Sequence, residues 1–336
     1  MIASANRPLA GLLLFLLFAA AVLVLAPFIG MEWIAPGDVL GAGAKPVEAK
    51  IFWHIRVPRV LVAFLAGGGL ALCGMTFQAL FRNALATPFT LGVSAGASLG
   101  AALCVWIGLG VGWLAMSGVT LAAFLGAVGS MALVYGLTRI KGGFSTATLL
   151  LAGVAVNFTF GSLILFVQYI SNLHDAFRIL RWMMGGLEVS GYGDVLVVAP
   201  FVVLGTGVLL YLVHDLNLLT TGEDLARSRG VPVGRTRGVL FVVTSLIVGG
   251  VVAVCGPIGF VGMMAPHICR LLIGADHRVL APASLLFGGG FLVLCDCVAR
   301  TVMAPAEMPV GILTAMLGGP FFVWLLVSRS YGRTIV

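Results

Sequence analysis

The chain has 336 residues, of which 60% are hydrophobic and 9% are charged, and its mean hydropathy is +1.14. Charged residues make up about a quarter of an ordinary soluble domain, so this composition excludes one. The net charge of +7 at pH 7 does not require a nucleic-acid partner, because basic residues anchor the cytoplasmic loops of membrane proteins.

Long apolar runs predict an all-α polytopic membrane protein. The runs last about 20 residues, as a spanning helix requires, and they lack the period-two alternation of a membrane barrel. We predict a single transmembrane domain over residues 1–336 with about ten helices. The predicted spans are residues 9–29, 58–81, 90–107, 113–137, 146–170, 194–213, 238–255, 261–273, 280–302 and 310–327. The first is expected to be retained, since its apolar core is too long for a signal peptide.

Three glycines recur at every fourth position in the third predicted span, at Gly92, Gly96 and Gly100. This spacing leaves one helix face almost without side chains, so a neighbouring helix can approach closely. Tight packing explains the pattern, and a smooth wall of a translocation path is the second interpretation. The other candidates for such a path are Phe166, Arg178, Trp182 and Met183. Core packing explains these four residues equally well.

A charged segment from His214 to Arg237 interrupts the apolar sequence. We predict that residues 214–237 form a polar loop that contacts something in water. With the amino terminus inside and ten crossings, the 19 Lys and Arg residues divide 12 inside to 7 outside. The positive-inside rule therefore favours both termini and this segment on the cytoplasmic side.

The predicted spans contain almost no ionisable residues. Asp296 is the exception, and Arg300 follows four residues later on the same helix face, so an intrahelical ion pair is expected. A transporter coupled to protons or sodium needs ionisable groups inside its spans, and we find no relay of them. An ion-coupled secondary transporter is therefore kept only as an alternative to a transporter that is driven by another energy source. An intramembrane enzyme built on His267 and Asp296 is less favoured, and we predict no catalytic residue.

The sequence also lacks a phosphate-binding loop, which places a lysine directly after a glycine. None of Lys45, Lys50 and Lys141 follows a glycine. If ATP drives this protein, a separate subunit must bind it. The six cysteines lie mostly in apolar runs and are expected to act as small hydrophobes, so no metal site is predicted.

Six sequence runs carry a family resemblance over residues 52–327. They are RVPRVLVAFLAGGGLALCG, RNALATPFTLGVSAGASLGAAL, STATLLLAGVAVN, RILRWMMGGL, GPIGFVGMMAPHICRLLIGADHRVLAPAS and APAEMPVGILTAMLGGPFFVWLL. Their order and spacing resemble the FecCD-type permeases of bacterial ABC importers, which carry ferric siderophores, haem and vitamin B12. The resemblance implies a type II ABC importer permease fold in the bacterial inner membrane.

The resemblance also implies the partners of the chain. It implies a second permease copy, two cytoplasmic ATPase subunits that bind ATP and Mg, and a periplasmic substrate-binding protein. It implies no cofactor on this chain. By the same resemblance, Arg56, Arg59 and Arg300 match the arginines that dock acidic residues of the binding protein. Lipid headgroups or loop carboxylates are the other partners open to these arginines.

Two further sets of residues match the family on the predicted cytoplasmic side. Those matching its constrictions, or gate, are Asn83, Leu85, Ser145 and Thr146. Ala84 stands where the family usually has proline, and Thr87 where an acid is common, which leaves the shape of that loop open. Those matching the helices that couple to the ATPase are Gly222, Glu223, Asp224, Ala226, Arg227 and Gly230.

Overall fold

The computed structural model describes residues 6–39, 45–84, 86–108, 113–140, 146–189 and 191–331. Every regular element in these ranges is helical. The α-helices are α1 (Asn6–Leu25), α2 (Pro36–Val39), α3 (Pro46–Ile51), α4 (Val57–Phe81), α5 (Val93–Ile107), α6 (Trp113–Ile140), α7 (Thr146–Ile170), α8 (Leu173–Met183), α9 (Tyr192–Tyr211), α10 (Val213–Thr221), α11 (Glu223–Ser228), α12 (Val233–Cys255), α13 (Val261–Ile273), α14 (His277–Ala299) and α15 (Val310–Tyr331). Short 3-10 turns lie at Ala26–Phe28 and Pro88–Leu91, and a π-helical turn at Phe52–Arg56 joins α3 to α4.

Seven helices within the described ranges are long and apolar enough to cross a membrane, and three shorter apolar helical stretches are α5, α13 and the part Val310–Leu325 of α15. The all-α architecture with about ten membrane helices is therefore confirmed. The polar segment predicted at 214–237 contains most of α10, α11 and the first turn of α12, and its role as a coupling segment stays a prediction. The third span also begins later than predicted, since Gly92 adopts a left-handed φ of 85° that separates the 3-10 turn from α5.

Helix α4 lies at the centre of the fold. In its spanning window 83% of the residues are buried, against 22% for α1, α6 and α9. Glycines make this position possible, because a Cβ on Gly67 would lie 2.3 Å from the Gly288 carbonyl oxygen of α14. On Gly74, a Cβ would lie 1.7 Å from the carbonyl oxygen of Gly262 in α13. Backbone therefore packs directly on backbone, as is common where small residues line membrane-helix contacts.

Helices α4 and α14 run antiparallel, which places two polar groups of residues at opposite ends of the pair. At one end the first turn of α4 contacts the last turn of α14 through Arg59 and Asp296. At the other end Arg82, which follows α4, donates a hydrogen bond to the Leu219 carbonyl of α10 (2.7 Å). About 23 helical residues separate Arg59 from Arg82, or about 35 Å at 1.5 Å per residue. This distance matches the thickness of a bilayer's hydrocarbon core plus part of its interfaces.

Candidate functional site

The two ends of the α4–α14 pair hold most of the predicted functional residues. We call the end with Arg56, Arg59, Asp296, Arg300 and Glu307 the arginine end. We call the opposite end, with α10, α11 and the start of α14, the short-helix end.

Asp296 is the centre of the arginine end and is only 1% exposed. Arg59 donates to it from Nε to Oδ1 and Oδ2 (both 3.1 Å) and from Nη2 to Oδ1 (2.9 Å). The predicted intrahelical ion pair is also confirmed, because Nε of Arg300 lies 3.5 Å from Oδ2 of Asp296. A carboxylate flanked by two guanidinium groups is compensated electrostatically, which explains how an acid is accommodated in an apolar span.

Arg300 does not lie where the predicted docking surface requires it. Its side chain is 4% exposed, and its Nη2 donates to the Ala26 carbonyl (3.1 Å) and to Sγ of Cys297 (3.2 Å). The prediction of Arg300 as a rim residue is therefore wrong for this conformation, because its guanidinium faces the interior. The sequence placed it at a helix end but gave no sign that the end of α1 covers it.

The other two predicted docking arginines have different environments. Arg56 is half-buried and donates to the carbonyl oxygens of Pro27 (3.3 Å), Phe28 (3.1 Å) and Glu32 (2.7 Å). It thus ties the π-helical turn to the end of α1. Arg59 is 14% exposed, and its Nη1 lies 2.8 Å from Oε2 of Glu307. Of the three arginines, Arg59 is the one that presents a nitrogen to a solvent-accessible acid.

A cavity of about 310 Å³ opens beside the arginine end. Its charged and aromatic lining residues are Arg59, Arg178, Arg181, Trp182, Glu188 and Glu307. Arg178 and Trp182 were predicted for a substrate path, and the structure brings them together with Arg59. Ligand sites range from about 300 to 1,000 Å³, so this cavity accommodates a small group or one part of a large ligand.

The other predicted path residues do not line this cavity. Phe166 lies on the exposed face of α7, and Met183 packs against the small apolar cluster around Ile179. A Cβ on Gly96 would lie 2.4 Å from the Gly126 carbonyl oxygen, and one on Gly100 would lie 2.1 Å from that of Ala122. The smooth-wall interpretation is therefore wrong for these two glycines, because α6 covers their face.

Gly92 serves local geometry. Its φ of 85° belongs to the left-handed region that favours glycine, and its carbonyl oxygen accepts a hydrogen bond from Oγ of Ser130 on α6 (2.7 Å). Asn157 of α7 donates to the neighbouring Phe89 and Thr90 carbonyls (3.1 and 3.3 Å). The residue thus fixes the turn that leads into α5, and its proposed place on a path has no support in this geometry.

The short-helix end presents the charged helix α11, which contacts α10 and α12. Helix α11 begins after Gly222 (φ 150°) and is followed by Gly230 (φ 84°), so both predicted glycines allow sharp turns at its ends. Ala226 is fully buried beneath the helix, and its carbonyl oxygen accepts a hydrogen bond from the Val231 amide (3.0 Å). Asp224 and Arg227 remain exposed on the outer face.

Glu223 fixes α11 to α12. Its carboxylate pairs with Arg237 of α12 and lies 3.7 Å from Nη2 of Arg227 one helical turn away. The hydrogen bond from Arg237 lowers the pKa of Glu223 below its ordinary value. The exposed side chain of Leu225 stands among these charges. Sequence reasoning did not single out Leu225, although one apolar residue inside a charged hexapeptide is a usable signal.

Asn217 connects α10 to the start of α14, and sequence reasoning missed it. Its Oδ1 accepts from the His277 amide (3.1 Å) and lies 2.6 Å from Nδ1 of His277. Its Nδ2 donates to Oδ1 of Asp276 (2.8 Å), the N-cap of α14. Hydrogen bonds from the Arg278 amide and from Asn217 lower the pKa of Asp276. A cap at Asp276 is readable from sequence, but its partner 59 residues away is not.

The predicted gate lies partly outside the described residues. Asn83 is exposed, its amide donates to the Gln78 carbonyl, and its own carbonyl accepts from the Ala86 amide (both 3.1 Å). Leu85 and Ser145 lie outside the described residues, and of Thr146 only the backbone at the start of α7 is described. The gate therefore stays a prediction.

Nothing in the described ranges groups three or more His, Cys, Asp or Glu side chains at a metal-binding distance. The cysteines there are free and buried, as expected of small hydrophobes. His267, considered for an enzyme, is buried in α13 with its ring edge-on to Phe321 at 6.0 Å. Asp296, its suggested companion, is held by Arg59 and Arg300.

Comparisons with known proteins agree with this architecture. The FecCD transport family matches residues 13–328. The vitamin B12 import system permease protein of Klebsiella pneumoniae is 40% identical, with 98% of this chain and 95% of the relative covered. The hemin transport system permease protein of Yersinia pestis is also 40% identical, covering 84% and 86%.

Two other matches extend this comparison. An uncharacterized ABC transporter permease protein of Bacillus subtilis is 39% identical, with 91% of this chain and 94% of the relative covered. A solved inward-facing conformation of a metal-chelate type ABC transporter superposes with a TM-score of 0.85 at 32% identity. It covers 94% of this chain and 98% of its own.

Proposed function

Because the chain belongs to the FecCD transport family, we propose that it is the permease subunit of an ATP-driven importer for a bulky iron chelate or cobalamin. The supporting observation is identity of about 40% over nearly the whole length of relatives named for vitamin B12 and hemin import. The chain is a transport subunit, not an enzyme, and a separate ATPase subunit hydrolyses ATP.

We assign the two ends of the α4–α14 pair to the two soluble partners. The 12 to 7 division of basic residues supports placing the short-helix end and both termini in the cytoplasm. There α11 offers the ATPase an exposed charged face with Leu225 at its centre. The arginine end then faces the periplasm, where the guanidinium of Arg59 steers and orients an acidic binding protein.

Transport follows from exchanging access between these ends. The binding protein delivers the chelate at the arginine end, and ATP-driven closure of the ATPases moves α11. Because α11 is tied to α12 by Glu223 and Arg237, its displacement reaches the membrane helices, which tilt as packed units. The outer mouth and the inner gate at Asn83, Leu85, Ser145 and Thr146 then exchange their open and closed states.

A second copy of the chain completes the path. The outward surfaces of α7 and α15 expose large apolar side chains, among them Phe158, Phe166 and Trp324. Lipid or another permease subunit must cover such surfaces in a membrane, and a homodimer provides two identical halves around one central path. ATP and Mg bind to the partner ATPase, and this chain supplies no ligand to them.

The decisive experiment is uptake by the reconstituted complex. The permease, ATPase and binding protein are placed in liposomes, and labelled ferric siderophore, haem and cobalamin are supplied side by side. We expect uptake of one of the three substrate classes, and this uptake should require ATP on the side of the membrane where the ATPase lies. Uptake that continues without ATP and stops on addition of an uncoupler would instead support the ion-coupled alternative.

A further inference from the structure

The Arg59 guanidinium has one nitrogen that is not committed to the protein interior. Its Nε and Nη2 are held by the carboxylate of Asp296, at 2.9 to 3.1 Å. The remaining nitrogen, Nη1, contacts Oε2 of Glu307 at 2.8 Å. Any acid that approaches Arg59 from solvent therefore meets a position that Glu307 already occupies.

Exposure rises steadily along this row of three side chains. Asp296 is 1% exposed, Arg59 is 14% exposed and Glu307 is 38% exposed. Removing a partner from a buried ion pair is costly, whereas a pair at the surface contributes little to stability. The Arg59–Glu307 contact is thus the one that exchanges readily, while Asp296 keeps the guanidinium in place.

A hydrogen bond fixes the backbone next to Glu307, whereas the side chain of Glu307 is free to rotate. The next residue, Met308, donates its amide to the Ala299 carbonyl at the end of α14 (3.1 Å). Glu307 itself lies between α14 and α15 on the rim of the 310 Å³ cavity. A rotation about its side-chain bonds is therefore enough to release Arg59, without movement of either helix.

We propose that Glu307 is an internal occupant of the docking arginine, which a carboxylate of the soluble substrate-binding protein replaces on Nη1 of Arg59. This inference rests on the proposed function. The binding protein that fits this arrangement has an acidic residue at the contact point, and its carboxylate takes the place of the Glu307 carboxylate. The exchange keeps one carboxylate on Nη1 of Arg59 and frees the Glu307 carboxylate at the cavity rim.

The freed carboxylate then alters the mouth of the cavity. The two other arginines of the rim already have acidic neighbours: Arg181 pairs with Glu188 at 2.7 Å, and Arg178 lies 3.6 Å from Asp175. Before docking, Glu307 is matched by Arg59. After docking it contributes an unpaired negative charge to the rim, so arrival of the binding protein changes the potential at the cavity.

The test measures the affinity of the purified binding protein for the permease–ATPase complex in nanodiscs. Glu307→Gln removes the competing charge and keeps the size of the side chain. We expect it to dock the binding protein about two- to fivefold more tightly, because a surface pair contributes at most about 1 kcal/mol. Glu188→Gln is the matched control, since Glu188 is also exposed, pairs with an arginine and lines the same rim. It should leave the affinity unchanged.

A second background shows whether the effect passes through Arg59. In Arg59→Lys the single ammonium group can pair with Asp296 but cannot also hold a second carboxylate in the same fork geometry. Adding Glu307→Gln to this background should then change the affinity by less than twofold. A double-mutant cycle of these four proteins isolates the contact.

The outcomes separate the inference from the proposed function. Failure of the binding protein to bind the wild-type complex at all would contradict the proposed function. Normal binding to the wild type with an unchanged or weaker affinity in Glu307→Gln would overturn the role of Glu307 alone. An equal gain in Glu188→Gln would overturn it too, because the effect would then reflect general rim charge.

Discussion

Replacing Asp296 by Asn tests whether the buried carboxylate organises the arginine end. The substitution keeps the shape of the side chain and removes its charge. Arg300, 4% exposed, then loses its acidic partner, and Arg59 keeps only Glu307, which is 38% exposed. Removing one member of a buried ion pair costs about 3–5 kcal/mol, and we expect a loss of stability of this size.

The measurement is the unfolding of the permease in detergent, followed by tryptophan fluorescence. Glu307→Gln serves as the control, because loss of its partly exposed pair should cost no more than about 1 kcal/mol. Combining Asp296→Asn with Arg300→Leu should recover part of the lost stability, since the second change removes the unpaired buried cation. A loss below about 1 kcal/mol for Asp296→Asn, equal to that of the control, would refute the reasoning.

Three other predictions follow from packing and charge. Gly74→Ala places a Cβ 1.7 Å from a backbone oxygen of α13, so we expect a loss of about 1–3 kcal/mol or more in thermal unfolding. Gly129→Ala, whose added Cβ meets nothing within 4 Å, should be nearly neutral. Replacing Glu223 and Arg227 together by Gln should abolish stimulated ATP hydrolysis in the reconstituted complex, and wild-type stimulation would contradict the coupling role of α11. The hydrogen bond from Arg237 lowers the pKa of Glu223 in the folded protein. The ionised carboxylate therefore contributes its full stabilisation of the fold above the unfolded-state pKa near 4.5, and this stabilisation is lost as the pH falls through the lower pKa of the folded state. The stability difference between wild type and Glu223→Gln should therefore be largest at pH 7 and shrink in acid; an unchanged difference at pH 3 would argue against it.

The membrane architecture could be read from the sequence because it depends on run length. A spanning helix needs about 20 apolar residues whatever its neighbours are, and α9 and α12 begin and end within a few residues of the predicted spans, apart from the helical first turn at Val233. The Asp296–Arg300 pair was equally accessible, since four residues along a helix always bring two side chains together.

The rest depends on contacts between distant segments. The burial of Arg300 depends on the carbonyl of Ala26, which is 274 residues away. The contact of Asn217 with His277 likewise joins residues 60 apart. The glycines at 96 and 100 show the same limit. Their spacing predicts a helix face without side chains, but only the position of α6 shows that a neighbouring helix, and not the substrate, covers this face.

Because α4 is long, a tilt about its middle moves the contacts at its two ends in opposite directions. A helix of 25 residues is about 37 Å long, so a tilt of about 10° around its middle displaces each end by about 3 Å, in opposite directions. A hydrogen bond is lost well before its atoms separate by that much. A tilt of α4 relative to α10 and to the segment that carries Glu307 would therefore break both the contact of Arg82 with Leu219 and that of Arg59 with Glu307. Distance probes attached at the two ends of α4 should report simultaneous displacements in opposite directions during the transport cycle.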